Sequence, residues 1–401
     1  MLRYLVLTFA FLKTVSMTMM DNQELKLEAY GDDELQAALK ELFSFSDFLL
    51  GMKSFLPDTL YQHIMKQKDE VETILDFQKS IIRPFLLYIK ELSIKEITTS
   101  GLGQLTPGEK YLFISNHRDI VLDSAFLNMV LLKHGFETCQ IAIGDNLMKH
   151  RLAELLFRVN KSYVIKREGT PRELYSYSVR VSSYLHDLIS NNKDSAWIAQ
   201  REGRAKDGND FTQPGVLKML SLSKKRDIKS HFKTLKVVPV AISYEIDPCA
   251  ILKAREYLRK QADPTYKKAF QDDVDYIFQG LKGQKGRIHI AFGAPLADQL
   301  DELDKVAGDK KQLNAIVKQI DDVIHQHYRL HPINYVALDL LNQSKENEAH
   351  YSVSEFEQYK AYFEEQLQCL KPEFKEEGFR YLLGIYANPV VNYLSSQTNE
   401  T

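Results

Sequence analysis

The 401 residues carry 44% hydrophobic side chains and a near balance of 52 Lys+Arg against 54 Asp+Glu. Such a chain can bury a sizeable core, and it lacks both the polarity of a disordered polymer and the net positive field of a general nucleic-acid binder. Three cysteines, Cys139, Cys249 and Cys369, are too few and too scattered for a disulfide framework or a thiolate metal cluster, and they fit a reducing cytoplasm.

In chain order, the first feature is the apolar run "YLVLTFAFL" from Tyr4 to Leu12. As a helix it would span only ~14 Å, against a hydrocarbon core of ~30 Å. Lys13 follows at once, and "VSMTMM" offers no small-x-small cleavage pattern, so a secretory leader is the weaker reading. Met17, Met19 and Met20 are alternative starts, which leaves open whether residues 1–19 are translated.

Apolar spacings of three and four over "DELQAALKELFSFSDFLL" and "VETILDFQKSIIRPFLLYIKEL" predict a helical N-terminal region, 1–94. "TTSGLGQLTPGEK" then breaks the periodicity. From 95 to 330, β-rich runs at 111–115, 139–143, 162–166, 195–199, 237–243 and 287–293 alternate with helical stretches. This predicts an α/β core with a mainly parallel central sheet flanked by helices, whose ligand sites lie beyond the carboxyl ends of the strands. From 331 to 401 an aromatic-rich helical pattern predicts a C-terminal cap.

The stretch "SNHRDIVLD", Ser115 to Asp123, supports two chemistries. His117-Arg118-Asp119 spells the start of a kinase catalytic loop, but the position five beyond Asp119 is Ser124 rather than asparagine. The chain also lacks a Gly-rich loop with its lysine strand, and it has no Asp-Phe-Gly. The other reading pairs His117 with a carboxylate that orients it as a general base toward a hydroxyl. On these residues alone, a loop histidine beside a helix-capping aspartate is the better explanation of the pattern. Further on, Lys166 and Arg167 end one strand, and Arg201, Glu202, Gly203, Arg204 and Lys206 follow another, an arrangement suited to a phosphate monoester.

These blocks, in order, resemble the glycerolipid acyltransferases, most closely those acting on glycerol 3-phosphate and dihydroxyacetone phosphate. "LFISNHRDIVLD", "IAIGDNL", "YVIKREGTPRELYSYSV", "AQREGRAKDGNDFTQPGVLKML", "KVVPVAISYE" and "GRIHIAFGAPL" carry the likeness over about residues 95–300. The resemblance implies an O-acyltransferase of phospholipid biosynthesis with His117 as general base and Asp123 as its partner. Arg167 and Arg204 would hold the acceptor phosphate, Glu202 and Gly203 would shape the pocket, and Pro239 would belong to the strand bordering the acyl-donor site. It implies acyl-CoA or acyl carrier protein as co-substrate, no metal or other cofactor, a phosphorylated glycerol acceptor and no nucleic acid. It also implies a cytoplasmic protein in peripheral contact with the inner face of the membrane. A lysophospholipid or other lipid-head acceptor is the within-class alternative, and an inactive membrane-associated scaffold the alternative of another class.

Two departures stand out. Five residues separate His117 from Asp123 where the family has four, so either the loop bulges or Asp119 serves. Glu202-Gly203-Arg204 are contiguous where the family has one residue before the arginine, which puts Arg201 at the glutamate's usual place.

Three further motifs have plainer readings. His325, His327 and His331 suggest a metal, but on a helix the first two point roughly 200° apart. The basic run Ser223 to Lys236 is read as a solvated loop before a headgroup or carrier surface, and "SIIRPFLLYIK" as buried before interfacial.

Overall fold

The computed structural model describes residues 26–224, 227–297 and 299–398. The apolar run at 4–12, its leader reading and the alternative starts lie outside the described residues.

The N-terminal helices are α1 (Asp32–Leu42), α2 (Ser46–Phe55) and α3 (Asp58–Gln67). Asp32, Asp33 and Glu34 place negative charge at the positive end of α1, while Leu35, Ala38, Leu39 and Leu42 form its buried stripe. A longer helical stretch follows: α4 (Ile74–Phe77), a π turn at Gln78–Ile82, and α5 (Arg83–Ser93). Pro84 accounts for the wide turn, because it has no N–H for the Ser80 carbonyl four residues back. His63 of α3 supplies the missing donor at 2.8 Å.

Strand β1 (Ile94–Ser100) follows α5 directly. The sequence reading assigns no strand here, because "IKEITTS" has only two strongly apolar residues and leads into a glycine turn. The remaining strands fall where the β-rich runs predict: β2 (Leu112–Ser115), β3 (Gln140–Gly144), β4 (Ser162–Ile165), β5 (Ala196–Ala199), β6 (Val237–Tyr244) and β7 (Gly286–Phe292). Between β2 and β5 run α6 (Leu122–Lys133), α7 (Arg151–Arg158) and α8 (Pro171–Ser190). Between β5 and β7 run α9 (Pro214–Leu220), α10 (Ile228–Leu235), α11 (Ala250–Ala262) and α12 (Phe270–Lys282). Helices α13 (Asp309–His327), α14 (Pro332–Asn342), α15 (Val353–Leu367) and α16 (Lys375–Thr398) complete the described chain.

The sheet order is β1-β7-β6-β2-β5-β3-β4, and every neighbouring pair is parallel except β6 with β7. The period of two along β2 divides the core between the faces. Leu112 and Ile114 join Leu185, Phe232 and Ile320 on one side, and Phe113 joins Ile89 and Phe126 on the other. Pro239 is tolerated inside the sheet because it lies one residue ahead of the β6/β7 ladder, where its carbonyl accepts from Gly293 N at 2.8 Å.

The N-terminal helices form their own apolar cluster with Leu152, Leu155 and Val159. Another unites α14, α15 and α16 around Ile333, Phe363 and Tyr386. This C-terminal cluster reaches toward the loop after β5. Asn388 donates to Asp207 O at 2.6 Å, and a Cβ on Gly208, at φ +83°, would lie 2.3 Å from Ile385 O. Gly208 is thus required both for its positive φ and for the close approach of the two backbones.

Candidate active site

Strand β2 sits between β5 and β6, and the chain leaves it toward β3 on one side and returns through β6 on the other. A crevice therefore opens at its carboxyl end, the usual location of a site in such a sheet. Gln200 N donates to Ser115 O at 2.8 Å, holding the ends of β2 and β5 level. On the other side the Asn116 side chain pairs with β6 as a peptide would, accepting from Ile242 N at 2.7 Å and donating to Ile242 O at 3.0 Å.

His117 projects from this frame, and its Nδ1 donates to Asp123 Oδ2 at 2.8 Å. The same oxygen accepts from Arg118 N at 2.6 Å and Asp119 N at 3.0 Å, while Oδ1 accepts from Tyr244 OH at 2.9 Å. Four donors fix the carboxylate, and the carboxylate fixes the imidazole with Nε2 left for substrate. The Trp197 ring meets the His117 ring edge-on at 5.6 Å between centroids.

The extra residue in the loop is absorbed by Asp119. Its Oδ1 accepts from Val121 N at 2.9 Å and Leu122 N at 2.8 Å, capping the start of α6. Of the two acids left open by the spacing, Asp123 therefore contacts the histidine and Asp119 shapes the bulge. Burial, reinforced by the Asp123 charge, pushes the Asp119 carboxyl pKa up. Arg118 is structural: it is buried, it pairs with Asp210, and its guanidinium lies 5.2 Å from the Tyr328 ring.

A cavity of about 1270 Å³ opens at His117. Its larger part is apolar, lined by Leu42, Phe48 and Met52 from the N-terminal helices and by Ala125, Met129 and Phe278 nearer the sheet. Arg167, Arg201, Glu202, Gly203, Arg204, Lys206 and Lys268 line the remainder, so all the candidate site residues except Asp123, which stands behind His117, face one space. Pro239 lies in β6 and is not in this lining.

Arg204 is buried, stacked 3.9 Å from the centre of the Tyr276 ring, and its Nη1 has no hydrogen-bond partner among the described residues. Arg167 fits against Gly144, where a Cβ would lie 2.6 Å from Arg167 Nε. Glu202 has an exposed carboxylate 3.7 Å from Arg167, so it edges the rim rather than the interior. Arg201 buries an Nε that has no hydrogen-bond partner among the described residues. Gly203 has φ +70°, with no other atom within 4 Å of a Cβ built there.

Sequence reasoning missed Asn116, Tyr244, Asp210, Tyr276 and Lys268. The first two stand in quoted blocks, but their roles need β6 beside β2. Lys268 and Tyr276 sit in a segment with no motif.

The other motifs resolve locally. His325 donates to Asp210 O at 2.6 Å and His327 to Val323 O at 2.8 Å, while His331 is buried at the start of α14. They do not converge. The basic run is helical over Ile228–Leu235 rather than a loop, and among its described residues Lys229 meets Asp301 at 2.8 Å and Asp304 at 2.6 Å, and Lys233 meets Asp301 at 2.7 Å. Helix α5 buries Leu86 and Ile89, in line with the buried reading of "SIIRPFLLYIK", and leaves Leu87 exposed.

Residues 96–243 match the family model described as Acyltransferase. Over this segment the chain is similar to the acyltransferase family. The matched segment holds β2 to β5 and all but the last residue of β6 and, with them, His117, Asp123, Arg167 and Arg204. The chain is 25% identical over 293 residues to a glycerol-3-phosphate acyltransferase of Pseudomonas syringae, covering 69% of this chain and 34% of that protein. To the Xylella fastidiosa protein of the same name it is 23% identical over 257 residues, covering 60% and 28%. The chain thus spans about a third of the length of the curated relatives it matches. The 1-acyl-sn-glycerophosphate acyltransferase structure from Thermotoga maritima aligns over 73% of this chain and 95% of that one, at 12% identity and TM-score 0.32, too slight a likeness to carry an argument. Among the described residues no helix is long and apolar enough to cross a membrane.

Proposed function

We propose that this chain transfers a fatty acyl group from a thioester, acyl-CoA or acyl carrier protein, to a hydroxyl of glycerol 3-phosphate in phospholipid biosynthesis. The observation that carries the reading is that His117, held by Asp123, lines one cavity with both an apolar wall and a cationic cluster that includes the buried Arg204. An acyl chain suits the first, a phosphate monoester the second, and the reacting hydroxyl and carbonyl then meet at the histidine.

In this mechanism His117 Nε2 takes the proton from the acceptor hydroxyl as its oxygen bonds to the thioester carbonyl carbon. The tetrahedral intermediate collapses by breaking the C–S bond, and the leaving thiolate takes the proton back from the imidazolium. The products are an ester and a free thiol. Asp123 keeps the tautomer and steadies the positive charge while it exists. Arg167 and Arg204 hold the phosphate and so place the hydroxyl.

The His117–Asp123 contact at 2.8 Å, kept despite the extra residue between them, favours an active site over an inactive scaffold. Peripheral membrane contact belongs to the same proposal. Helix α2 buries none of its residues, Leu50 stands 60% exposed, and Leu87 and Leu92 of α5 are also exposed.

The test is turnover by purified full chain with acyl-CoA and with acyl carrier protein thioester against a panel of acceptors, beside His117→Ala and Asp123→Asn. Loss of roughly 10²- to 10⁴-fold is expected for His117→Ala. Undiminished turnover by that variant would refute the mechanism, and preference for a lysophospholipid would move the acceptor assignment.

A further inference from the structure

The acceptor pocket has a wall from outside the family segment. After α11 the chain returns through 263–269 and enters α12, bringing Lys268 to the cavity and Tyr276 against Arg204. The Tyr276 ring receives the Arg204 guanidinium at 3.9 Å from its centroid and the Lys268 ammonium at 4.4 Å. Two like charges from distant segments thus share one ring, an arrangement that favours a third, negative partner.

The local compensation is incomplete. Lys206 pairs with Glu256, and Lys268 with Asp273. Among the described residues Arg204 makes no ion pair within 4 Å, although Asp119 feels its charge, and it leaves Nη1 buried and unbonded. A buried cationic donor without an acceptor is costly unless a ligand completes it. Burial and the neighbouring Arg204 charge also lower the Lys268 pKa, as expected of an ammonium held in a partly dry, positive site.

We propose that Lys268 is a further binding residue for the acceptor's phosphate, closing on it opposite Arg204 across the Tyr276 ring and exchanging Asp273 for the anion. This rests on the acceptor reading above and adds a residue to it. The helix that follows, α12, lines the apolar cavity through Ile277, Phe278 and Leu281, so the stretch from Lys268 to Leu281 would touch both substrates.

Calorimetric titration of the full chain with inorganic phosphate and with glycerol 3-phosphate tests this, using wild type, Arg204→Met, Lys268→Met, Lys268→Arg and Asp273→Asn. Lys268→Met should weaken phosphate binding about tenfold and raise KM for the phosphorylated acceptor with little change in kcat, and Lys268→Arg should restore part of the loss. Asp273→Asn should tighten binding, a direction that misfolding does not produce. If Lys268→Met and Asp273→Asn bind phosphate as wild type does while Arg204→Met fails, Lys268 is not a ligand and the acceptor reading stands. If wild type itself binds neither probe, the acceptor reading falls and the role of Lys268 with it.

Discussion

The backbone N–H of Ala205 donates to the carbonyl oxygen of His117 at 2.9 Å. The proposed base and the buried Arg204 are therefore adjacent in space through one main-chain hydrogen bond, although 87 positions separate His117 from Arg204 in sequence. Gly203 precedes that junction at φ +70°. Gly203→Ala should cost about 1 kcal/mol of backbone strain. Its kinetic signature should be mixed, because a shifted loop moves both Arg204 and the His117 carbonyl: lower kcat and higher KM for the acceptor together. Steady-state kinetics alongside thermal denaturation checks this, and a pure KM effect would mean that the two loops move independently.

Asp119 and Asp123 should separate cleanly. Asp119→Ala removes the acceptor for Val121 N and Leu122 N and should cost about 1 kcal/mol of stability, as loss of a helix cap does. Its activity should fall far less than that of Asp123→Asn, which leaves the imidazole without its ionised partner. If Asp119→Ala is the more damaging of the two for kcat at a temperature where both variants are folded, the partner assignment is wrong.

Gly280 supplies a prediction whose sign is opposite to the helix rule. Replacing a mid-helix glycine by alanine ordinarily stabilises by roughly 0.5–1 kcal/mol. Here a Cβ at Gly280 of α12 would lie 2.2 Å from Asp119 Oδ2, a buried carboxylate whose other oxygen caps α6. Gly280→Ala should therefore destabilise and slow turnover, by displacing the loop that carries His117. Gly280→Ala in an Asp119→Ala background should be much less harmful, and a double-mutant cycle by denaturant unfolding measures the coupling.

How much of this was legible follows from what each feature depends on. Six strands were readable because they are short apolar runs covered on both faces, whereas β1 was not, since "IKEITTS" lies at the sheet edge and has little apolar pattern to show. His117, Arg167 and Arg204 were readable because block order survives in sequence. The choice between Asp119 and Asp123 was not, because it turns on which carboxylate caps α6. Tyr244, Tyr276 and Lys268 were invisible for a different reason: their roles exist only once β6 and α12 are laid beside the loop after β2. The N-terminal helices were readable as helices, but their share in the apolar cavity was not, since nothing in an amphipathic stripe says what covers it.

Away from the crevice, His289 and His331 should govern acid stability. Both are buried, and burial, with the Arg329 charge near each, lowers their pKa values; that of His289 falls to about 4. An unfolded histidine titrates near 6.5, so between about pH 6.5 and 4 the unfolded chain binds more protons than the folded one. Stability should therefore be fully present above pH 6.5 and fall as the pH drops toward 4, with His289 alone contributing up to about 3 kcal/mol. Its ring nitrogens contact Thr98 Oγ1 at 2.8 Å and Ser100 Oγ at 3.0 Å, partners a glutamine amide can also satisfy. His289→Gln should flatten the acid limb of a urea-denaturation series without changing stability much at pH 7.5. An equally steep limb in the variant would assign the acid lability to other groups, beginning with His331.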